Sequence, residues 1–264
     1  MNHAESKPNP ADVYDTRFVP ALFGRWAPVV CDTARIEPGD RVVDVGCGTG
    51  ALTLEAAARA GATGTVAGVD PSPDMLDVAR RKTGPITWVE GSAERLPLPD
   101  RSVDAAVSQF ALMFFDDRAA GLAQMRRVLR PGGRLAVAVC DAVERSAGYA
   151  ALADLLDRLF GRAVGDAFRS PFSAGDPEHL RRIADEAGFP GAAVARRSAE
   201  VRLASIEALV STERACAWTL GGILDDGQFA VLRREAEATL APFVDRDGGV
   251  RFDMPALILT AVRS

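Results

Sequence analysis

The chain has 264 residues, 48% of them hydrophobic and 25% charged. This ordinary globular composition excludes disordered and fibrous classes and fits one large α/β domain or two small ones. Its 31 Lys and Arg against 36 Asp and Glu give a net charge of −5, so no global positive field favours nucleic acid or another polyanion. Lysine occurs only at Lys7 and Lys82, and the arginine excess, together with Ala-rich helices, reads as a GC-rich genome rather than an arginine cluster with a task.

The first residues, MNHAESKPNPADVYD, are polar and broken by Pro8 and Pro10, without the basic-then-apolar pattern of a signal peptide. The longest apolar runs, such as Leu135 to Cys140, are strand-sized and far short of the roughly 18–20 residues that cross a bilayer, so no integral membrane association is expected. Cys31, Cys47, Cys140 and Cys216 are widely spaced, with only His3 and His179 as companions, so neither a disulfide framework nor a metal site is indicated and a reducing cytoplasm is the expected location.

From Arg41 to Cys140, short β-branched runs alternate with helical periodicity, the pattern of a parallel sheet with crossover helices. Strands are predicted over Arg41–Val45, Thr65–Val69, Ile86–Val89, Val103–Val107 and Arg134–Val139, each apolar enough to be buried on both faces. Ser72-Pro73-Asp74 is an N-cap, a first-turn proline and an acid at a helix start, predicting a helix to about Lys82. Leu122, Met125 and Leu129 continue an apolar stripe that Pro131-Gly132-Gly133 breaks before the fifth strand.

Leu152, Leu155, Leu156, Leu159 and Phe160 mark a helix with no strand directly after it, an insertion. Asp176-Pro177-Glu178 opens another helix, closed by Gly188, and a strand near Ala192–Leu203 follows. Residues from about Ser205 to Ala241 read as helical, and Pro255–Val262 as a last strand. The first 40 residues are expected to arch over the sheet end.

The most informative stretch is Val42-Val-Asp-Val-Gly-Cys-Gly-Thr-Gly50, a buried strand running into three glycines and a helix. Gly46, Gly48 and Gly50 permit backbone conformations closed to other residues and a close approach of ligand to main chain, while the helix offers its free N–H groups. The next strand ends in Asp70, twenty residues after Gly50, where a carboxylate accepts from both hydroxyls of a ribose. A dinucleotide fingerprint is G-x-G-x-x-G, whereas the spacing here is G-x-G-x-G, with Asp44 two residues ahead of it. That acid opposes a pyrophosphate and suits a cofactor bearing an ammonium and a sulfonium, which favours S-adenosylmethionine over NAD.

With Asp44, Gly46, Gly48 and Gly50 in place, the sequence resembles the class I S-adenosylmethionine-dependent methyltransferases acting on small molecules. The resemblance continues at Asp70-Pro71-Ser72 with Met75, at Gly91-Ser92-Ala93-Glu94, at Asp104 to Gln109 and at Arg127 to Gly133, covering about residues 40–140. It implies that Asp44 holds the methionine ammonium and that Gly46, Cys47 and Gly48 line the methionine part. Asp70 would take the ribose hydroxyls, Pro71 and Met75 would pack on adenine, Ser92 and Ala93 would face its edge, and Gln109 with Phe110 would close the floor. Relatives commonly carry Asp where this chain has Ser92, a weaker acceptor for the adenine amino group. The N-terminal piece with Tyr14, Phe18, Phe23 and Trp26 resembles the segment that folds over the donor, with Tyr14 the candidate contact.

Methyl transfer is an in-line displacement that alignment itself accelerates and that needs no metal. A base is required only if the nucleophile arrives protonated. His3 lies in the tail, and His179, in the first turn of a capped helix, reads as a surface or capping residue. Where relatives often carry histidine, this chain has Met113 within the apolar run Phe110 to Phe115. No catalytic residue is therefore assigned; an acidic or activated nucleophile, or a lid base such as Tyr14 or Tyr149, remains. Met113, Phe18, Tyr149 and Trp218 are the candidate acceptor contacts, while Trp218, Phe168 and Phe172 read equally as the insertion's own core. Cys47 is a small loop residue rather than a nucleophile.

The expected architecture is a doubly wound, mostly parallel seven-stranded sheet of the Rossmann-like methyltransferase fold, its last strand antiparallel, with a helical lid insertion. Residues 1–40 form the cap, 41–145, 176–203 and 251–264 the core, and 146–175 with 204–250 the lid. The expected function is methyl transfer to a small, largely apolar acceptor by a monomer or homodimer that binds no nucleic acid. The alternatives are a quinone-ring C-methyltransferase, or a cyclase or binding protein that keeps this fold without methyl transfer; an NAD-dependent oxidoreductase is opposed by the glycine spacing and Asp44.

Overall fold

A computed structural model describes residues 9–82, 84–216 and 219–264. Seven strands form one sheet in the order β3-β2-β1-β4-β5-β7-β6: β1 (Arg41–Val45), β2 (Thr65–Asp70), β3 (Ile86–Glu90), β4 (Val103–Gln109), β5 (Leu129–Cys140), β6 (Ala193–Leu203) and β7 (Val250–Val262). Strands β1 to β5 pair in parallel, and β7 runs antiparallel between β5 and β6. The strand order reverses between β1 and β4, so the loops leaving their carboxyl ends diverge and open a crevice.

The helices are α1 (Pro10–Val13), α2 (Val19–Ala21), α3 (Trp26–Ala34), α4 (Ala51–Ala60), α5 (Pro73–Arg80), α6 (Arg118–Val128), α7 (Ala147–Phe160), α8 (Arg162–Arg169), α9 (Pro177–Glu186), α10 (Ile206–Ala215) and α11 (Asp226–Leu240). Their starts follow the capping chemistry of the sequence. The Ser72 hydroxyl accepts from Met75 N–H, and the Asp176 carboxylate from Glu178 N–H, ahead of Pro73 and Pro177 at the first helical positions. Gly188, at φ +85°, turns the chain out of α9.

Three expectations need correction. β3 is an edge strand whose residues are all half-buried or exposed, because nothing pairs with its outer side. The Pro131-Gly132-Gly133 break lies inside β5 rather than before it: Val103 pairs with Leu129 and Ala105 with Arg134, so the turn is accommodated as an irregularity in an otherwise continuous ladder. β7 also begins at Val250, earlier than Pro255, since its pairing with β6 extends to Leu203.

The core runs along both faces of β1, β4 and β5, where Val43, Ala105, Ala106, Val107 and Val137 are fully buried beneath Trp26, Val30, Leu122 and Met125. Near the N-terminus, α1, a five-residue π turn (Tyr14–Phe18) and α2 make a strap across the carboxyl ends of the strands. Tyr14, Phe18 and Phe23 stack on one another at 5.4–6.1 Å between ring centroids. Lys82 Nζ lies 2.6 Å from both Asp15 Oδ1 and the Thr49 carbonyl, fastening the strap to the glycine loop.

Gly50 shows what the loop demands. Its φ is +89°, and a Cβ there would stand 2.4 Å from Trp88 Cη2 of β3. Gly50→Ala is expected to lower unfolding stability by about 1–2 kcal/mol, from left-handed strain with displacement of the indole; urea titration with Trp88 fluorescence checks this.

Candidate active site

The carboxyl ends of β1, β2, β4 and β5 frame a cavity of about 400 Å³ that residues of the strap and of α7, α8 and α10 also line. At one end it is lined by Gly46 and Gly48 of the loop, by Asp70, Pro71 and Met75, by Ser92 and Ala93, and by Gln109 and Phe110. Tyr14 and Phe18 cover it from the strap, and Met113 forms part of the wall. At the other end stand Cys140 from β5, Tyr149 from α7, Phe168 and Phe172, Glu213 from α10, and Met254 from β7. Tyr14 and Met254, 240 positions apart in sequence, therefore meet in one space.

Asp70 organises the first end. Its Oδ2 accepts from Gly48 N–H at 2.8 Å and its Oδ1 from Ser72 N–H at 2.9 Å, which joins the glycine loop to the start of α5. Each oxygen keeps a lone pair for a ligand hydroxyl. Burial raises the Asp70 pKa against the pull of these two bonds.

Asp44, Cys47 and Gly50 are placed differently from the expectation, outside the cavity lining. Asp44 is 1% exposed and sits beneath the loop, with Oδ2 accepting from Thr53 Oγ1 at 2.6 Å. Its Oδ1 has no hydrogen-bond partner among the described residues. Burial, with Thr53 opposing and the Asp70 charge adding, pushes its pKa up to about 7. A buried carboxylate with one idle oxygen and no cation fits a ligand that brings positive charge to the loop above it. Cys47 turns away to pack beside Gly68, burial driving its thiol pKa well up, and Gly50 serves the contact with Trp88.

Gln109 donates from Nε2 to the Phe23 carbonyl at 3.0 Å, tying β4 to the strap, while its buried Oε1 is unpartnered among the described residues. Phe110 takes φ +54°, a conformation rare for a side-chain-bearing residue, and so turns β4 sharply into Leu112–Phe114. Its ring lies 5.2 Å from Phe23 and 5.7 Å from Trp26 between centroids. Beside Ser92, Glu94 adds a carboxylate to the lining, accepting from Asp117 N–H at 3.4 Å.

Tyr14 and Tyr149 do not suit the role of base, because burial drives both phenol pKa values upward and keeps the hydroxyls protonated. The residue sequence reasoning missed is Glu213, 2% exposed at the far end of the cavity. The Tyr149 hydroxyl hydrogen-bonds its carboxylate, the Thr219 hydroxyl donates to its main-chain carbonyl at 2.9 Å, and burial pushes its pKa up to about 7. A signal was present: Ile206, Leu209, Val210 and Glu213 fall at i, i+3, i+4 and i+7, so a charge occupies the buried stripe of α10. His179 lies on α9 outside the lining, its Nδ1 3.1 Å from Arg182. Trp218 falls outside the described residues. Among the described residues no group of three or more His, Cys, Asp and Glu is placed to hold a metal, and no helix is long and apolar enough to cross a membrane.

The pKa of Asp44 carries a prediction. Because the acid titrates near 7 in the free protein and a nearby ammonium favours its ionised form, binding of S-adenosylmethionine should release a proton around neutrality. Affinity should fall by up to about tenfold per unit as pH drops below 7, and fall again above about 8 as the donor's own amino group, with a reference pKa near 7.7–8.0, deprotonates. Calorimetry at several pH values should show this, and Asp44→Asn should flatten the acid limb.

Residues 43–137 match the family profile described as a methyltransferase domain. The chain is 43% identical over 114 residues to a demethylmenaquinone methyltransferase of Deinococcus radiodurans, the match covering 42% of this chain and 47% of the relative. It is 31% identical over 180 residues to a demethylmenaquinone methyltransferase of Staphylococcus aureus, covering 62% and 73%. The chain spans about half the length of the first curated relatives it matches. Among solved structures, a putative methyltransferase from an antibiotic biosynthesis pathway of Anabaena variabilis superposes with a TM-score of 0.68 at 16% identity, covering 91% of this chain and 98% of that one. The sequence match, the sheet order and the loop bound to Asp70 agree: the chain belongs to the class I S-adenosylmethionine-dependent methyltransferases.

Proposed function

We propose that this protein transfers a methyl group from S-adenosylmethionine to a small, largely apolar molecule held under the lid helices. The observation that carries the reading is the continuity of the cavity: a glycine loop with a ribose-type acid at one end opens directly into an aromatic-walled chamber at the other. Gly46 and Gly48 would hold the methionine part by their backbone, Asp70 the ribose hydroxyls, and Pro71, Met75, Ser92 and Ala93 the adenine. Asp44 would act on the ammonium through its field from beneath the loop, and the unpartnered Oε1 of Gln109 would accept from the donor. When bound, S-adenosylmethionine supplies an electrophilic methyl group on a sulfonium.

The chain's part is positional. The strap, fastened by Lys82, covers the donor end and excludes water, and the segments 146–175 and 204–250 act as a lid that presses the acceptor toward the methyl group. The cavity is lined by Asp70, Glu94, Asp116 and Glu213 and, among the described residues, by no Lys, Arg or His, so it suits neutral or cationic ligands and disfavours anionic acceptors. The reading entails a cytoplasmic enzyme, monomer or homodimer, acting on a free metabolite without nucleic acid. The relatives named demethylmenaquinone methyltransferase favour a second reading, methylation of a quinone-type ring at carbon.

Calorimetric titration with S-adenosylmethionine tests the donor assignment, with NAD as control. Micromolar binding is expected for the donor and none for NAD. Asp70→Ala, which removes both the ribose acceptor and the tie between the loop and α5, should weaken donor binding about 100-fold or more through loss of charge-assisted hydrogen bonds. Absence of donor binding to the unaltered protein would contradict the reading. A prenylated quinol that acquires a ring methyl would favour the second reading.

A further inference from the structure

We propose that Glu213 is the general base of this site and that its acceptor is a weakly acidic hydroxyl, a phenol or enol, on an apolar skeleton, methylated at oxygen. The inference rests on the methyl-transfer reading and extends it to the residue and substrate class.

The geometry isolates one carboxylate at the acceptor end. Glu213 is nearly inaccessible to solvent, on the inward stripe of α10, at the opposite end of the cavity from the glycine loop. Around it stand Tyr149, Phe168, Phe172, Cys140, Cys216 and Met254. No Lys, Arg or His side chain lines the cavity among the described residues, so none is there to neutralise it. Burial without a counterion penalises the charged form of this carboxylate. The Tyr149 hydroxyl holds it by a hydrogen bond, and the Thr219 hydroxyl donates to the Glu213 main-chain carbonyl at 2.9 Å. The side chain is thus oriented rather than loose, and Tyr149 is a positioning residue.

The chemistry selects a hydroxyl. Among the described residues, the groups facing Glu213 from the packed elements are the Tyr149 phenol, the Cys140 and Cys216 thiols and the Thr219 hydroxyl, and burial holds the phenol and the Cys140 thiol protonated. Glu213, its pKa pushed up to about 7, is matched to taking a proton at working pH. In the step itself the acceptor O–H bond breaks, its proton passes to a Glu213 oxygen and its electron pair stays on oxygen. That oxygen forms the new bond to the methyl carbon as the carbon–sulfur bond breaks, with the pair going to sulfur; Glu213 later releases the proton to solvent. The positive donor and the forming oxyanion neutralise each other, which a low-dielectric chamber favours. A neutral amine attacks through its free lone pair and needs no base beforehand, whereas a hydroxyl gains its nucleophilicity by losing the proton.

The test uses the full chain, the isosteric Glu213→Gln variant and Tyr149→Phe, with 2-naphthol, 2-naphthylamine and 2-naphthoate as size-matched probes. Donor binding by calorimetry is expected to be unchanged in Glu213→Gln, which separates this inference from the donor assignment and reports that the fold is intact. The donor-bound protein should bind 2-naphthol in preference to 2-naphthoate and convert it to the methyl ether. Turnover should fall about 100-fold or more in Glu213→Gln, with loss of the acid limb of the kcat/KM profile. Tyr149→Phe should keep that limb and move it to higher pH, because the carboxylate loses a hydrogen bond that favours its charged form. The proposal is overturned if Glu213→Gln retains turnover and pH profile, if 2-naphthylamine or a ring carbon is methylated in preference to the hydroxyl, or if donor-bound protein neither binds nor methylates 2-naphthol.

Discussion

The carboxylate of Asp70, taking the N–H groups of Gly48 and Ser72 on its two oxygens, is the contact on which the rest of the site depends. It joins the end of β2 to the loop after β1, where Gly46 and Cys47 N–H also bond the Val69 carbonyl, and to the first turn of α5. With the loop pinned, Gly46 and Gly48 present main chain to the cavity, and α4 begins directly above the strand ends. The position follows from topology, since the strand order reverses beside β1 and leaves room there for a ligand.

A second constraint is electrostatic. Asp44, Asp70 and Glu213 are all buried, and burial raises the pKa of each. Such an arrangement costs stability in the free protein, because the unfolded chain ionises these acids more readily as pH rises from about 4 toward 7. For Asp44 a ligand that brings positive charge to the loop would offset this cost, in keeping with its idle oxygen beneath the loop. For Glu213, among aromatic rings, the raised pKa instead fits a group that takes up a proton near neutrality.

Much of this was legible in the sequence, for local reasons. The β1 boundaries, the Ser72 and Asp176 caps and the left-handed glycines follow from rules that act over a few residues. The resemblance located Asp70, Met75, Ser92 and Gln109, and all four line the cavity. It also brought in Cys47 and Gly50, whose neighbours are β2 and β3 rather than the cavity, because spacing reveals that a loop is tight but not which of its faces meets Trp88. Glu213 escaped for a different reason: it approaches Tyr149 from more than sixty residues away in sequence, a distance no periodic pattern spans. Periodicity reveals that a charge lies on a buried stripe; only the packing of α7 and α10 around the chamber gives that charge a partner.

On the proposed function, one cavity holds the donor at the Asp70 end and offers its methyl group to the Glu213 end. A crystal structure of the complex with S-adenosylhomocysteine is the decisive measurement. It should show the ribose hydroxyls on Asp70, the adenine between Met75 and Ser92, the amino group over the loop above Asp44, and the sulfur facing the chamber of Tyr149 and Glu213. A ligand bound elsewhere, or one whose sulfur faces away from that chamber, would contradict it.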